Sequence, residues 1–283
     1  MNNAKTVGLL AVMTALLFWV GWAVTGGQSI ATAIGFAAVF NLAAYFFSDK
    51  IALAATRARP VTEQELPQVY AIVRRLTTGT GMPMPRLYVI DSPQPNAFAT
   101  GRSPSKAAVA VTTGILQMLD HDELEGVLAH ELAHVRNRDI LISSIAAMIG
   151  AAISILMRFA FWFGRGDDRN NPLGAIGFII SLIVAPLAAM LIRFAISRTR
   201  EFQADHSGAE ITGRPLKLAS ALEKISAGTA RIPMNVDPAH SQMFIDNPLK
   251  ALRGGGMLKL FSTHPPTEER IQRLLDMASG VSR

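Results

Sequence analysis

Apolar residues gather into four long runs along the chain, separated by polar and periodic stretches. Val7 to Val24 carries no charge, and Ser29 to Phe47 is interrupted only by Asn41. A third run extends from Ile140 to Met157 and a fourth from Leu173 to Ile192. Each approaches the roughly 20 residues that a helix needs to cross a hydrocarbon core. The pattern predicts four hydrophobic, transmembrane helices, the first two forming a hairpin around the uncharged Gly26-Gly27 turn. A signal peptide for the first run and buried core helices for the third and fourth are the plainer alternatives.

Basic residues at membrane ends set orientation. Lys5 precedes the first run, Lys50, Arg57 and Arg59 follow the second, and Arg193, Arg198 and Arg200 follow the fourth. This distribution places the polar segments on the cytoplasmic side. The expected organisation is a hairpin over 1–50, a first catalytic part over 51–138, a second hydrophobic pair over 139–197 and a C-terminal catalytic part over 198–283.

Residues 62–138 read as an α+β unit. Leu66, Val69, Tyr70, Ile72, Val73 and Leu76 recur at helical spacing and predict a helix over Glu63 to Thr77. Arg86 to Ile90, Ala97 to Thr100 and Ala107 to Thr112 are predicted strands, and Gly114 to Leu119 a short helix. Asp120 then stands as an N-cap with Glu123 three positions on, the pattern of a capping box. Leu124, Val127, Leu128, Leu132 and Val135 form the apolar face of the helix that follows.

Composition supports the membrane reading. Half of the residues are hydrophobic and 17% are charged, against roughly 25% charged in a soluble chain. The net charge is +6. Because the basic residues cluster beside apolar runs, they suit anionic lipid rather than nucleic acid. With no cysteine, neither a disulfide framework nor a thiolate metal site is possible.

The helix after Asp120 carries His130-Glu131-Leu132-Ala133-His134. The two histidines are four apart and project from one face, one turn above the other. They can supply two of the three protein ligands of a catalytic zinc. Glu131 is rotated by about 100° from His130 and is free to act as a base on water. This H-E-x-x-H pattern is suited to peptide hydrolysis with one Zn2+ per chain. A third ligand must come from the same side of the membrane. The first carboxylate beyond the fourth run is Glu201, with Asp205 one helical turn later, where it could hydrogen-bond a ligating histidine. Spacing alone equally allows a salt-bridged surface helix using Arg198 and Arg200. His206 reads as a surface residue.

These residues resemble the HtpX family of bacterial membrane heat-shock proteases and, more distantly, the CAAX prenyl proteases. The likeness covers nearly the whole chain. It rests on the N-terminal hairpin, Pro95 to Gly101 (PNAFATG), Gly126 to His134 (GVLAHELAH), Ser197 to Asp205 (SRTREFQAD) and Ser262 to Pro266 (STHPP). It implies a zincin-like fold, α+β and mostly helical. It also implies His130, His134 and Glu201 as metal ligands, Glu131 as the base and Asp205 as support. The implied activity is zinc-dependent endopeptidase quality control of membrane proteins at the inner membrane, in the stress response. A CAAX-type prenyl-protein endopeptidase is the alternative enzyme, and a membrane scaffold with a structural metal the alternative of another class. His264 would donate to the oxyanion, or else cap the helix that Pro266 opens, with Ile271, Leu274 and Leu275 as its apolar face. Asn96, Ala97, Phe98 and Ala99 would lie along the cleft, offering an exposed strand edge to an extended substrate. At 1.5 Å per residue from the apolar runs, the metal would sit about 10 Å outside the membrane.

Overall fold

The computed structural model describes residues 8, 11, 14, 15, 18, 30–145, 198–234, 244–247 and 265–280. Most of the first run, the third beyond residue 145, the fourth and His264 therefore lie outside the described residues. The described part is mostly helical with one small sheet. Among the described residues, no helix is long and apolar enough to cross a membrane.

Helix α1 (Ile30–Ala55) contains the second apolar run. It is followed by β1 (Arg59–Pro60), α2 (Pro67–Thr80), β2 (Arg86–Ile90), β3 (Ala97–Thr100), a 3-10 turn (Pro104–Lys106) and β4 (Ala108–Thr112). Then come α3 (Thr113–Met118), α4 (His121–Arg136), α5 (Arg198–Thr212), α6 (Pro215–Arg231) and α7 (Thr267–Ala278). Helix α2 starts four residues later than the periodicity predicts, because Pro67 with its fixed φ suits the first helical turn. Thr62 to Glu65 forms a separate turn, in which the Thr62 amide donates to the Glu65 carboxylate at 2.8 Å.

The sheet runs β1-β2-β4-β3, with β2 and β4 parallel and the other pairs antiparallel. Every residue of β3 and β4 is buried. Side-chain alternation explains how. Ala97, Ala99, Val109 and Val111 face the main core with Val127, Leu128, Leu132 and Leu222. Phe98, Ala108 and Ala110 face a second cluster with Ala52, Leu53, Met234 and Phe244. Phe98 and Phe244 meet edge to face at 5.2 Å.

The capping box of α4 is formed in both directions: Asp120 accepts from the Glu123 amide at 2.8 Å, and Glu123 accepts from the Asp120 amide at 2.9 Å. Glu123 also receives Ser220 and Lys224 of α6, and Lys217 reaches Asp120 at 2.9 Å. The start of α4 is thus bolted to α6. The main core draws on α2, α4, α6 and α7 together, so the segments before residue 138 and after residue 198 share one core.

The approach of α5 to α4 is set by a glycine. A Cβ at Gly208 would lie 2.9 Å from the His130 backbone nitrogen. No larger residue allows this helix crossing without a shift. On α7, Leu274 is buried but Leu275 is 42% exposed, so the apolar face expected there is narrower than the sequence suggests.

Candidate metal centre

Three elements converge on the face of α4 that carries the histidines. Helix α4 supplies His130, Glu131 and His134, and the first two turns of α5 supply Glu201 and Asp205. Arg270 comes from α7. The face is polar in sequence but buried in the fold: His130 is 1% exposed, Glu131 3% and Glu201 6%. Arg200, which a surface helix would leave in solvent, is buried as well. His206 is exposed and pairs with Glu210 at 3.6 Å, away from this cluster.

Each imidazole is held from behind by a carboxylate. His130 Nδ1 lies 2.9 Å from Asp205 Oδ1. His134 Nδ1 lies 3.2 Å from Asp139 Oδ2. Both Nε2 atoms turn toward Glu201, at 3.9 Å for His130 and 3.5 Å for His134. The three candidate ligand atoms lie within 4.8 Å of one another. Ligands about 2.0–2.2 Å from a tetrahedral zinc stand roughly 3.3 Å apart. The two histidine–Glu201 pairs, at 3.9 and 3.5 Å, stand close to that spacing. With Nδ1 donating to a carboxylate, the neutral imidazole carries its lone pair on Nε2, which is the tautomer a metal requires.

Charge makes the same point. Arg270 grips Asp205 through Nε at 2.8 Å and a terminal nitrogen at 2.7 Å. Arg200 lies 3.6 Å from Asp139. Two guanidiniums thus offset the two supporting carboxylates. Glu201 lies beside both histidine Nε2 atoms, with Arg270 3.9 Å away, and is the carboxylate placed to face a cation.

The titration behaviour follows from burial against these partners. Burial pulls the His134 imidazole down, but the Asp139 hydrogen bond and the charges of Glu201, Glu131 and Asp139 outweigh it. Its pKa is raised to about 9. Burial pushes the Asp205 carboxyl up, and the Arg270 charge and hydrogen bonds reverse this, lowering it to about 2. Burial raises Glu131, moderated by the two histidines and by a hydrogen bond from the Ala99 amide. A buried carboxylate with a raised pKa suits a proton acceptor that must later donate.

Asp139 and Arg270 were not among the residues singled out in the sequence. Asp139 reaches back because Arg138 adopts a left-handed conformation, with φ of 59°. Arg270 binds a buried acid 65 positions away. The only sequence signal for it is a charged residue on the inward stripe of an amphipathic helix.

The β3 edge differs from the expected open strand. Asn96, Ala97 and Phe98 are fully buried. The Ala97 carbonyl accepts the Ile245 amide at 3.0 Å, and Asn96 Nδ2 donates to the Asp246 carbonyl at 3.0 Å. Residues 244–247 therefore already cover the first half of this edge. Arg270 also donates to the Ile245 carbonyl at 3.0 Å, tying this cover to the metal-site support. Ala99 differs, since its amide turns to Glu131.

Comparison with known proteins yields two findings. The family described as peptidase family M48 matches residues 63–278. Among solved structures, the crystal structure of S. mikatae Ste24p is similar, with a TM-score of 0.52 and 20% sequence identity. The match covers 96% of this chain and 65% of that one, so the chain spans about 65% of the length of that protein. At this identity the likeness is one of fold.

Proposed function

Because the chain belongs to peptidase family M48, whose members are zinc metallopeptidases, we propose that it is a membrane-bound endopeptidase. In this reading it cleaves misfolded or damaged membrane proteins at the cytoplasmic face, in the manner of HtpX-type proteases. The observation that carries it is the convergence of His130, His134 and Glu201, with Glu131 on the same helix and a supporting carboxylate behind each histidine.

His130, His134 and Glu201 would hold the zinc. When bound, zinc polarises a peptide carbonyl and acidifies water. Glu131 takes the proton of the attacking water and passes it to the departing amine. Its burial lifts its proton affinity for that second transfer, while the Ala99 amide fixes its direction. Asp205 and Asp139 keep each imidazole in one tautomer and orientation. An extended substrate would lie past Ala99, beyond the half of the edge that Ile245 covers.

Membrane residence is supported by the four apolar runs and by the exposed apolar residues of α1, among them Ile30, Ile34, Val39 and Leu42. The test uses the full chain in proteoliposomes. One peptide sequence is offered tethered to the bilayer, free in solution, and carrying a prenylated C-terminus. The reading expects faster cleavage of the tethered form whether or not it is prenylated. Equal rates for tethered and free peptide would overturn the membrane-substrate reading. Cleavage confined to the prenylated peptide would establish the CAAX-type alternative.

A further inference from the structure

The C-terminal end of α1 combines two properties seldom found together on a water-facing surface. Val39, Leu42, Phe46 and Phe47 are 68%, 58%, 48% and 50% exposed. Val39, Leu42, Phe46 and Lys50 follow at three- and four-residue steps, so they form one stripe. Beside this stripe is a groove of about 730 Å³ whose polar wall is basic: Lys50, Arg86, Arg102 and Lys106.

The loop after β3 builds that wall. Gly101 has φ of +138°, and a Cβ there would stand 2.6 Å from the Lys106 carbonyl oxygen. The chain is thereby folded back tightly, bringing Arg102 and Lys106 to the same groove. The Arg102 guanidinium sits 4.8 Å above the Phe46 ring, and Lys50 Nζ lies 5.4 Å from the Phe47 ring. Among the described residues, Asp49 is the only acid lining the groove, and it is taken by Arg86 at 2.6 Å. Lys50, Arg102 and Lys106 have no carboxylate partner among the described residues. From Val39 to Lys50 the helix rises about 16 Å, close to the roughly 15 Å of one leaflet's hydrocarbon. Aromatic rings beside cations at one end of an apolar stripe match the headgroup level of a bilayer.

We propose that this groove binds an anionic phospholipid, its acyl chains along Val39, Leu42 and Phe46 and its phosphate on Lys50, Arg102 and Lys106. The inference rests on the membrane residence proposed above. Charge complementarity selects an anionic headgroup over a zwitterionic one, because the described residues of the groove supply several cations and no spare carboxylate. Arg102 is three residues from Ala99, the residue whose amide holds Glu131. The lipid site therefore adjoins the strand that borders the candidate metal centre.

The test is native mass spectrometry of the full chain released from nanodiscs of mixed phosphatidylglycerol and phosphatidylcholine. Wild type should retain phosphatidylglycerol in preference, and the doubly substituted Arg102→Ala/Lys106→Ala should lose on the order of tenfold or more of that preference. Arg231→Ala, an exposed arginine at the far end of α6, should keep it. Lys106→Glu, at an exposed turn, provides a second reading should the double variant fail to fold. Equal retention of the two lipids by wild type would overturn the proposal, as would an unchanged preference in Lys106→Glu. Saturation of the site by glycerol phosphate alone would assign it to a free phosphate and also overturn it. Failure of the chain to enter nanodiscs at all would instead contradict the membrane reading on which the proposal rests.

Discussion

Arg270 holds Asp205 through two nitrogens at 2.8 and 2.7 Å, while the same carboxylate lies 2.9 Å from His130 Nδ1. Both charges are almost wholly buried. Removing one partner of such a pair leaves an uncompensated buried charge, at a cost of roughly 3–5 kcal/mol. Arg270→Ala is expected to lower the denaturant stability of the metal-free chain by about that amount. The Asp205 pKa of about 2 is below its ordinary 3.8. The stability it contributes is therefore present above pH 3.8 and lost as the pH falls toward 2. Acid unfolding of Asp205→Asn should lack this component. Wild-type stability in Arg270→Ala would show that the pair contributes nothing.

The α4–α5 crossing depends on the missing side chain at Gly208. Gly208→Ala places a methyl group 2.9 Å from the His130 backbone nitrogen. Overpacking of this kind costs about 1–3 kcal/mol. The helices must part, and Glu201 and Asp205 move with α5 away from the histidines. A fall in both melting temperature and zinc affinity is expected. Unchanged zinc affinity, read by chelator competition, would show that the crossing does not set the site.

Asp139 acts through His134. Loss of a carboxylate that orients a metal-binding histidine typically costs 10–100-fold in metal affinity, and this is the expectation for Asp139→Asn. The His134 pKa of about 9 stands above its ordinary 6.5. In the metal-free chain its stabilising contribution is complete below pH 6.5 and lost as the pH rises through 9. The same proton competes with metal, so zinc affinity should rise by about tenfold per pH unit between pH 7 and 9. In Asp139→Asn the rise should level off at lower pH. A flat wild-type profile over that range would contradict the placement of Asp139.

The parts of the fold that sequence made legible are those with local causes. The capping box and apolar face of α4 lie within sixteen consecutive residues, and the strand segments announce themselves by composition and turns. The H-E-x-x-H spacing likewise needs no tertiary knowledge. Glu201 and Asp205 are different. About seventy residues separate them from His134, and spacing alone leaves them undecided; the resemblance to a known family is what singles them out. Asp139 was hidden by the left-handed turn at Arg138, which no periodicity records. Arg270 was hidden because a guanidinium on a charged helix reads as solvent-facing. The cover over Ala97 depends on Phe244 finding a pocket against Phe98, a long-range packing event without a local pattern.

In the proposed mechanism Glu131 is the proton acceptor beside a zinc held by His130, His134 and Glu201. The most direct measurement is peptide turnover and zinc content of Glu131→Gln in parallel with wild type. Glutamine keeps the shape and cannot take a proton, so turnover should fall by roughly 10²–10⁴-fold, with one zinc per chain retained. Wild-type turnover by a zinc-loaded Glu131→Gln chain would contradict the account.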